Sequence, residues 1–345
     1  MALNSVQIRM AGIISMVVAV AVLYAGYWYF ASLQLERIVG RAVAGEYSAI
    51  RINYKKSTVT GFPFSIRLNL EAPEIAADGV QVRWLSKSAI IEIQPWNTRR
   101  YRLSLIGPHS IKLGRLRGLR ELDVVSEQII VVAEVGGDGE FSGAMLDLVG
   151  LKINSNDNSR TSTISRLEIR LSDVNPKGTE RLDPRFEVSL SADTVDIPAL
   201  NVHPLGSKIG KVRAGFKLLG EISKYDKTGA DAWRQAGGTL EVQWLQVVWG
   251  ALDLRAVGTV ALDDELRPLA AMTADIRGFS AALQALAAAG VISSTAARSG
   301  NMALSLIATP SSEGSPSVLT VPLTAQDGGL FFGPVRLALL PILFR

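Results

Sequence analysis

Residues 62–71 read FPFSIRLNLE, and their period decides the fold. Phe62, Phe64, Ile66, Leu68 and Leu70 alternate with Pro63, Ser65, Arg67, Asn69 and Glu71. Successive side chains on a strand point to opposite faces, so this alternation predicts a strand with one apolar face. Beyond it, Asp78-Gly79 suits a two-residue hairpin turn, after which Val80, Val82 and Trp84 continue the apolar face. Ala89, Ile91 and Ile93 then lead into Pro95-Trp96, where the proline ends the strand or places it at an edge.

Upstream of this stretch the pattern is different. Residues 10–35 contain no Asp, Glu, Lys, Arg or His over 26 positions. As a helix at ~1.5 Å per residue they measure about 39 Å, more than the roughly 30 Å hydrocarbon core of a bilayer. Tyr24, Tyr27, Trp28, Tyr29 and Phe30 crowd one end, where amphipathic rings favour the headgroup level. A cleavable signal peptide has an apolar region of only about 7–15 residues followed by a small-x-small site. Ala42-Val43-Ala44 lies well past the apolar run, so an uncleaved signal-anchor is expected. Residues 32–50 keep helical spacing at Leu33, Leu35, Ile38, Val39 and Val43, which predicts a few more turns beyond the anchor. Charge alone leaves the orientation open. Arg9 stands before the run, whereas Arg37, Arg41, Arg51, Lys55 and Lys56 follow it, but long domains translocate largely regardless of charge.

Downstream of residue 97 the period of two recurs. Residues 129–135 and 141–153 flank the turn-rich Gly136-Gly137-Asp138-Gly139, and residues 154–160 read as a polar loop. Leu167, Ile169 and Leu171 form one apolar row, and Phe186, Val188, Leu190 and Ala192 another. Val212, Ala214, Phe216 and Leu218 form a third, before strands over 240–249, 252–262 and 270–276. Asp263-Asp264-Glu265 turns the chain between the last two. Helices are predicted over 228–236, with Thr228 as cap, and over 279–289, with Ser280 as cap and Gly290 as stop. Met302, Leu304, Leu306 and Ala308 read as a further strand, before strands at 318–325 and 330–332. The expectation is mainly β with few helices: an N-terminal transmembrane helix, then a long curved antiparallel sheet, as a β-groove or an open sandwich. Residues 1–35 form the tail and anchor, 36–200 a first β-rich region, and 201–345 a second, continuous with the first across the Pro198 and Pro204 break.

Composition narrows the chemistry. With 48% hydrophobic and 20% charged residues, the part outside the anchor must bury a core rather than stay disordered. A net charge of +4 without a dense Lys/Arg stripe argues against a nucleic-acid partner. There is no cysteine, and the two histidines, His109 and His203, stand beside prolines in apparent loops without a Gly-x-Ser-x-Gly elbow. No spacing matches a metal or phosphate-loop motif, so no catalytic residue, metal or cofactor is expected and the chain is read as not an enzyme. Trp233, Trp244 and Trp249, near Gly237-Gly238 and Gly250, are read as filling a core rather than stacking on a ligand.

The apolar alternations allow two uses. They meet in a closed sandwich, or they line a curled sheet with an open hydrophobic groove, since both need a period of two. The groove reading names Phe62, Phe64, Ile66, Leu68, Phe216, Leu218, Trp244 and Leu304 as lipid-binding, with phospholipid or another lipid as ligand. The alternative is a non-enzymatic envelope scaffold whose protein partners are unknown.

The anchor, Gly61-Phe62-Pro63-Phe64, Pro95-Trp96, the stretch from Trp233 through Gly237-Gly238-Thr239-Leu240 to Trp249-Gly250, and Asp327-Gly328-Gly329 to Gly333-Pro334-Val335 together resemble DUF2125, a family of uncharacterised Gram-negative envelope proteins. The resemblance spans almost the whole chain and implies an inner-membrane protein, single-pass, with its bulk in the periplasm. It assigns no catalytic residue. More distantly, an anchor followed by amphipathic hairpins is similar to AsmA-like proteins, whose curved sheets form hydrophobic grooves implicated in lipid traffic.

Overall fold

The computed structural model describes residues 5–43, 51–77, 82–113, 121–137, 139–155, 158–174, 183–200, 203–222, 226–310, 317–333 and 335–343. Among these residues the fold is mainly β, with eighteen strands and four α-helices. Every strand pairing among these residues is antiparallel. The chain divides into two compact units, Met1–Gly107 and Pro108–Arg345.

The first unit begins with α1 (Ser5–Val43), which carries the uncharged run and continues about eight residues past it. Strands β1 (Arg51–Asn53), β2 (Lys56–Thr60), β3 (Ile66–Glu71), β4 (Glu74–Ala77) and β5 (Val82–Gln94) follow. β3 and β4 lie end to end along β5: Ile66 faces Ile93, Glu71 faces Ser88, and Glu74 faces Leu85. The joint between them is Ala72, held at φ 48°, and Pro73. β2 pairs with β3, and β1 with β4. Pro95-Trp96 makes the expected turn into β6 (Asn97–Leu113).

α1 packs on β1 and β3. Its buried residues Ala31, Leu35 and Val39 repeat at helical spacing, and β3 buries Ile66, Leu68 and Leu70 on alternate positions. The Ile66, Leu68 and Leu70 part of the period-two face read from the sequence is therefore closed by the lower half of the helix, while the expected strand begins at Ile66 and leaves Phe62 and Phe64 in the turn before it.

In the second unit β7 (Glu121–Val125) and β8 (Gln128–Val135) both pair with β9 (Phe141–Ser155). From there each strand pairs with the next: β10 (Asn158–Asp173), β11 (Pro184–Asp196), β12 (Lys208–Leu219), β13 (Thr239–Trp249), β14 (Leu252–Leu262), β15 (Pro268–Arg277), β16 (Leu319–Gln326), β17 (Gly329–Phe332) and β18 (Val335–Leu339). β11 and β12 pair from Pro184↔Leu219 to Asp196↔Lys208, so the expected boundary near residue 200 falls in the connection that closes a hairpin. Asp263 builds the β14–β15 turn by accepting hydrogen bonds from the backbone N–H of Glu265 (3.0 Å) and Arg267 (2.8 Å). Asp78-Gly79 lies outside the described residues.

Five local expectations change. Residues 294–307 form α4 (Ser294–Ile307), not a strand, because Ser293 caps Ala296 N–H at 3.0 Å and the inward residues follow helical spacing. Asp226, not Thr228, caps α2 (Lys227–Gln235), with Oδ1 2.8 Å from Gly229 N. α3 (Phe279–Ala288) starts from Gly278 with φ 76° and no side-chain cap, while Ser280 bonds Asn301 of α4 instead. His109 sits inside β6 opposite Val124, and the polar loop at 154–160 shortens because β9 runs to Ser155 and β10 starts at Asn158.

Candidate functional site

Strand register sorts the second unit's side chains onto two faces. Residues directly opposite across a ladder share a face. Leu167, Ala192, Val212 and Val247 lie opposite one another in turn, as do Ile169, Leu190, Ala214 and Leu245. Leu171, Val188, Phe216 and Val242 make a third row on the same face. The rows continue through Leu254, Ala256 and Val260 to Ala270, Met272, Ala274 and Ile276, then to Leu319, Val321, Leu323 and Ala325. One face of this meander is thus aliphatic across at least seven strands.

The opposite face is polar and paired. Arg166 meets Asp147 with two nitrogens, at 3.0 and 3.1 Å. Arg170 meets Glu168 at 2.7 Å, Arg213 meets Asp193 at 2.7 Å, and Lys217 meets Glu187 at 3.2 Å. The pairing with Asp147 and the field of Glu168 hold the Arg166 guanidinium above its ordinary pKa, against the pull of partial burial. Pairs with an arginine or lysine open to solvent in this way contribute little to stability. Their effect is to keep this face in water, so the aliphatic face is the one that needs cover.

Cover is present at one end. Ile276, Phe279 and Leu319 form a buried cluster with Leu252, Leu254, Leu304, Ala308 and Val321, where α3 and α4 lie on β14 and β16. Ala256, Ala274 and Leu323 form a second buried cluster beside it. Toward β10, β11 and β12 the larger residues of the same face, Leu167, Ile169, Val188, Leu190, Phe216 and Leu218, are only half-buried.

The structure separates the eight residues named for lipid contact. Phe216 and Leu218 share the aliphatic face of β12. Ile66 and Leu68 are 0% and 1% exposed in the first unit, on the strand α1 covers, and are core. Phe62 and Phe64 stand in the turn before β3, exposed at 56% and 74%. Trp244 lies opposite Gly215 on the polar face, where its ring occupies the space a Cβ on Gly215 would need. There it walls a shallow pocket with Arg213, Arg255 and Asp275. Leu304 belongs to the helical cover rather than to a strand. Sequence reasoning missed Val188 and Val242 as the residues opposite Phe216, and Leu190, Leu245 and Leu254 as members of its face, because alternation does not report which rows share a face.

Trp233 is 7% exposed, donates to Leu219 O at 2.9 Å, and fills the space above Gly238, as the core reading expected, whereas Trp244, 43% exposed over Gly215, departs from that reading. Trp249 stacks on His203, with ring centroids 4.3 Å apart, and donates to Gly206 O at 2.9 Å. His203 Nδ1 accepts from Leu205 N at 3.3 Å. Among the described residues no group of three or more His, Asp or Glu is placed to hold a metal.

A family model, described as an uncharacterized protein conserved in bacteria (DUF2125), matches residues 28–341. The chain belongs to the DUF2125 family. The match takes in every element of this DUF2125 member's two units from the lower half of α1 to β18. No curated protein and no solved structure matches it. An uncharacterised family, one N-terminal helix long and apolar enough to cross a membrane, and a β-rich body fit a membrane-anchored envelope protein.

Buried His109 gives the DUF2125 member a pH dependence. Burial holds the imidazole below its ordinary pKa, and the residue is 4% exposed. The unfolded chain binds the proton near pH 6.5, whereas the folded chain binds it only at lower pH, so stability is full above that value and falls below it. The slope reaches at most about 1.4 kcal/mol per pH unit for one proton. Denaturant titrations at pH 7 and pH 5 are expected to show a smaller acid loss in His109→Gln than in the wild type.

Proposed function

We propose that this protein is a single-pass inner-membrane protein with its bulk in the periplasm, non-enzymatic, which binds or guides lipid acyl chains along the aliphatic face of its second unit. The observation that carries the reading is the half-buried state of Leu190, Phe216 and Leu218 on a face whose opposite side is ionic. A shut core drives such side chains to the near-zero exposure of Ile66 and Leu68. Apolar surface left between those limits gains free energy when an alkyl chain covers it. At ~0.8 kcal/mol per buried methylene, ten methylenes recover about 8 kcal/mol, a large share of the cost of drawing a lipid from a bilayer. An anchor keeps that face near its lipid supply. The likeness to AsmA-like proteins supports the same reading by analogy of architecture.

The test is photocrosslinking in cells with p-benzoylphenylalanine at Leu190 or Phe216, and at Ser189 or Lys217 on the polar face. Phospholipid adducts, read by mass spectrometry, are expected several-fold more from positions 190 and 216. The scaffold reading has its own support in Met302, Leu306 and Ile307 of α4, exposed at 71%, 83% and 66%, a patch of the kind protein interfaces bury. Protein adducts in place of lipid at positions 190 and 216 would replace the lipid reading with the scaffold.

A further inference from the structure

Two turns of the first unit are pinned to α1 at one level. Tyr24 donates its hydroxyl to Pro63 O at 2.5 Å, and Trp28 donates its indole N–H to Ser65 O at 2.9 Å. Tyr27 donates to Pro95 O at 2.6 Å. The ring of Phe62 meets Trp28 edge-on at 5.5 Å and Tyr24 at 6.4 Å. These bonds satisfy the polar ends of three aromatic residues and fix the turns 61–65 and 95–96 beside the helix.

The same turns leave large apolar rings in the open. Phe62, Phe64 and Trp96 are 56%, 74% and 65% exposed. Isolated exposed apolar residues are ordinary, but three aromatics on two adjacent turns form a patch that calls for a partner. Its level on the helix identifies that partner. Tyr24 to Trp28 lie inside the uncharged run, and the residues of α1 from Ile13 to Leu23 are all exposed. From Arg9, the last charge before the uncharged run, to Trp28 the helix rises about 28 Å, close to the roughly 30 Å hydrocarbon thickness, so a bilayer filled by the upper part of α1 meets its headgroup boundary at the turns. Indole and phenyl rings favour that boundary. Arg99, exposed three residues after Trp96, adds a positive charge near the same turn, as suits an anionic lipid surface.

We propose that the turns 61–65 and 95–96 are a second membrane contact, with Phe62, Phe64 and Trp96 inserted into the headgroup region of the glycerophospholipid bilayer that α1 crosses. This rests on the reading of α1 as a membrane span. The contact holds the first unit at fixed height and tilt, where a helix alone would let it swivel.

The absence of cysteine makes the test direct. Val20→Cys, Lys56→Cys, Phe64→Cys and Trp96→Cys, each in the full chain, carry a nitroxide in vesicles of phosphatidylethanolamine and phosphatidylglycerol. Collision with oxygen relative to a water-soluble nickel chelate is expected to be highest at position 20 and several-fold higher at 64 and 96 than at 56. Lys56 lies at the far end of β2, opposite Glu71, and is the aqueous reference. Water-like values at 64 and 96 with a lipid-like value at 20 overturn the second contact and leave the anchor standing. A water-like value at 20 overturns both. In the otherwise native chain, lipids brominated near the glycerol end are expected to quench tryptophan fluorescence less after Trp96→Ser, and equal quenching counts against insertion.

Discussion

Leu35→Ala is expected to destabilise the first unit by about 3 kcal/mol, and Leu35→Asp to prevent its folding. Leu35 is 1% exposed, on the stripe with Ala31 and Val39 that lies over β3. Truncating a buried leucine removes its transfer free energy and leaves a cavity, which together cost about 2–5 kcal/mol. A carboxylate there would lie among the buried aliphatic side chains Ile66, Leu68 and Leu70, and an isolated buried charge costs far more than a domain's net stability. Val20→Ala is the control. Val20 is 57% exposed in the uncharged run, and its truncation is expected to change stability by about 0.5 kcal/mol or less. Denaturant titration in micelles, followed by proteolysis within the first unit, reads the difference. Equal effects at positions 35 and 20 would mean that α1 is a tether and not part of the core. The expected result also predicts that a chain starting at residue 40 aggregates, because it uncovers Ile66, Leu68 and Leu70.

Gly278→Ala is expected to cost about 4 kcal/mol in the second unit, at the upper end of what single substitutions do. Gly278 adopts φ 76° as the start of α3, and a Cβ there collides with the backbone carbonyl oxygen of Ala251. The left-handed conformation alone costs an alanine roughly 1–2 kcal/mol. The collision adds to it, because a backbone atom cannot rotate away as a side chain does. The helix start must then shift, and Phe279, 8% exposed in the cluster with Ile276 and Leu319, shifts with it. Gly290→Ala separates the two terms. Gly290 also has a positive φ, 73°, but nothing lies within 4 Å of the added carbon, so only the conformational cost of about 1 kcal/mol is expected. Denaturant titration of both variants checks the gap. Equal losses would mean that the loop carrying Ala251 yields freely and that α3 is not a fixed cover for the aliphatic face.

Much of this fold was legible in the residues. The uncharged run at 10–35, the alternation from Ile66 to Glu71, the turns at Pro95-Trp96 and Asp263-Asp264-Glu265, and the helix stop at Gly290 depend on local chemistry alone, whereas Phe62 and Phe64 keep the same period yet stand in a turn. Periodicity, charge and turn propensity act within a few residues, so they survive without knowledge of the rest of the chain. Leu304 marks the limit of that logic, since Met302, Leu304 and Leu306 alternate as a strand does while Ser293 and the packing of Ala297 and Leu304 select a helix.

What meets what was decided only by the tertiary structure. Ile66 and Phe216 have the same neighbours in pattern, yet one lies under α1 at 0% exposure and the other on a half-buried sheet face. Trp244 falls on the polar face because the β12–β13 pairing carries an irregularity between Gly215 and Phe216, and one residue of slip moves a side chain to the other side of a sheet. By itself the sequence determined an apolar helix, a set of one-sided strands and membership of a family. Register and packing are properties of residue pairs far apart in the chain, so only the tertiary structure could decide which apolar face is shut and which stays half-buried.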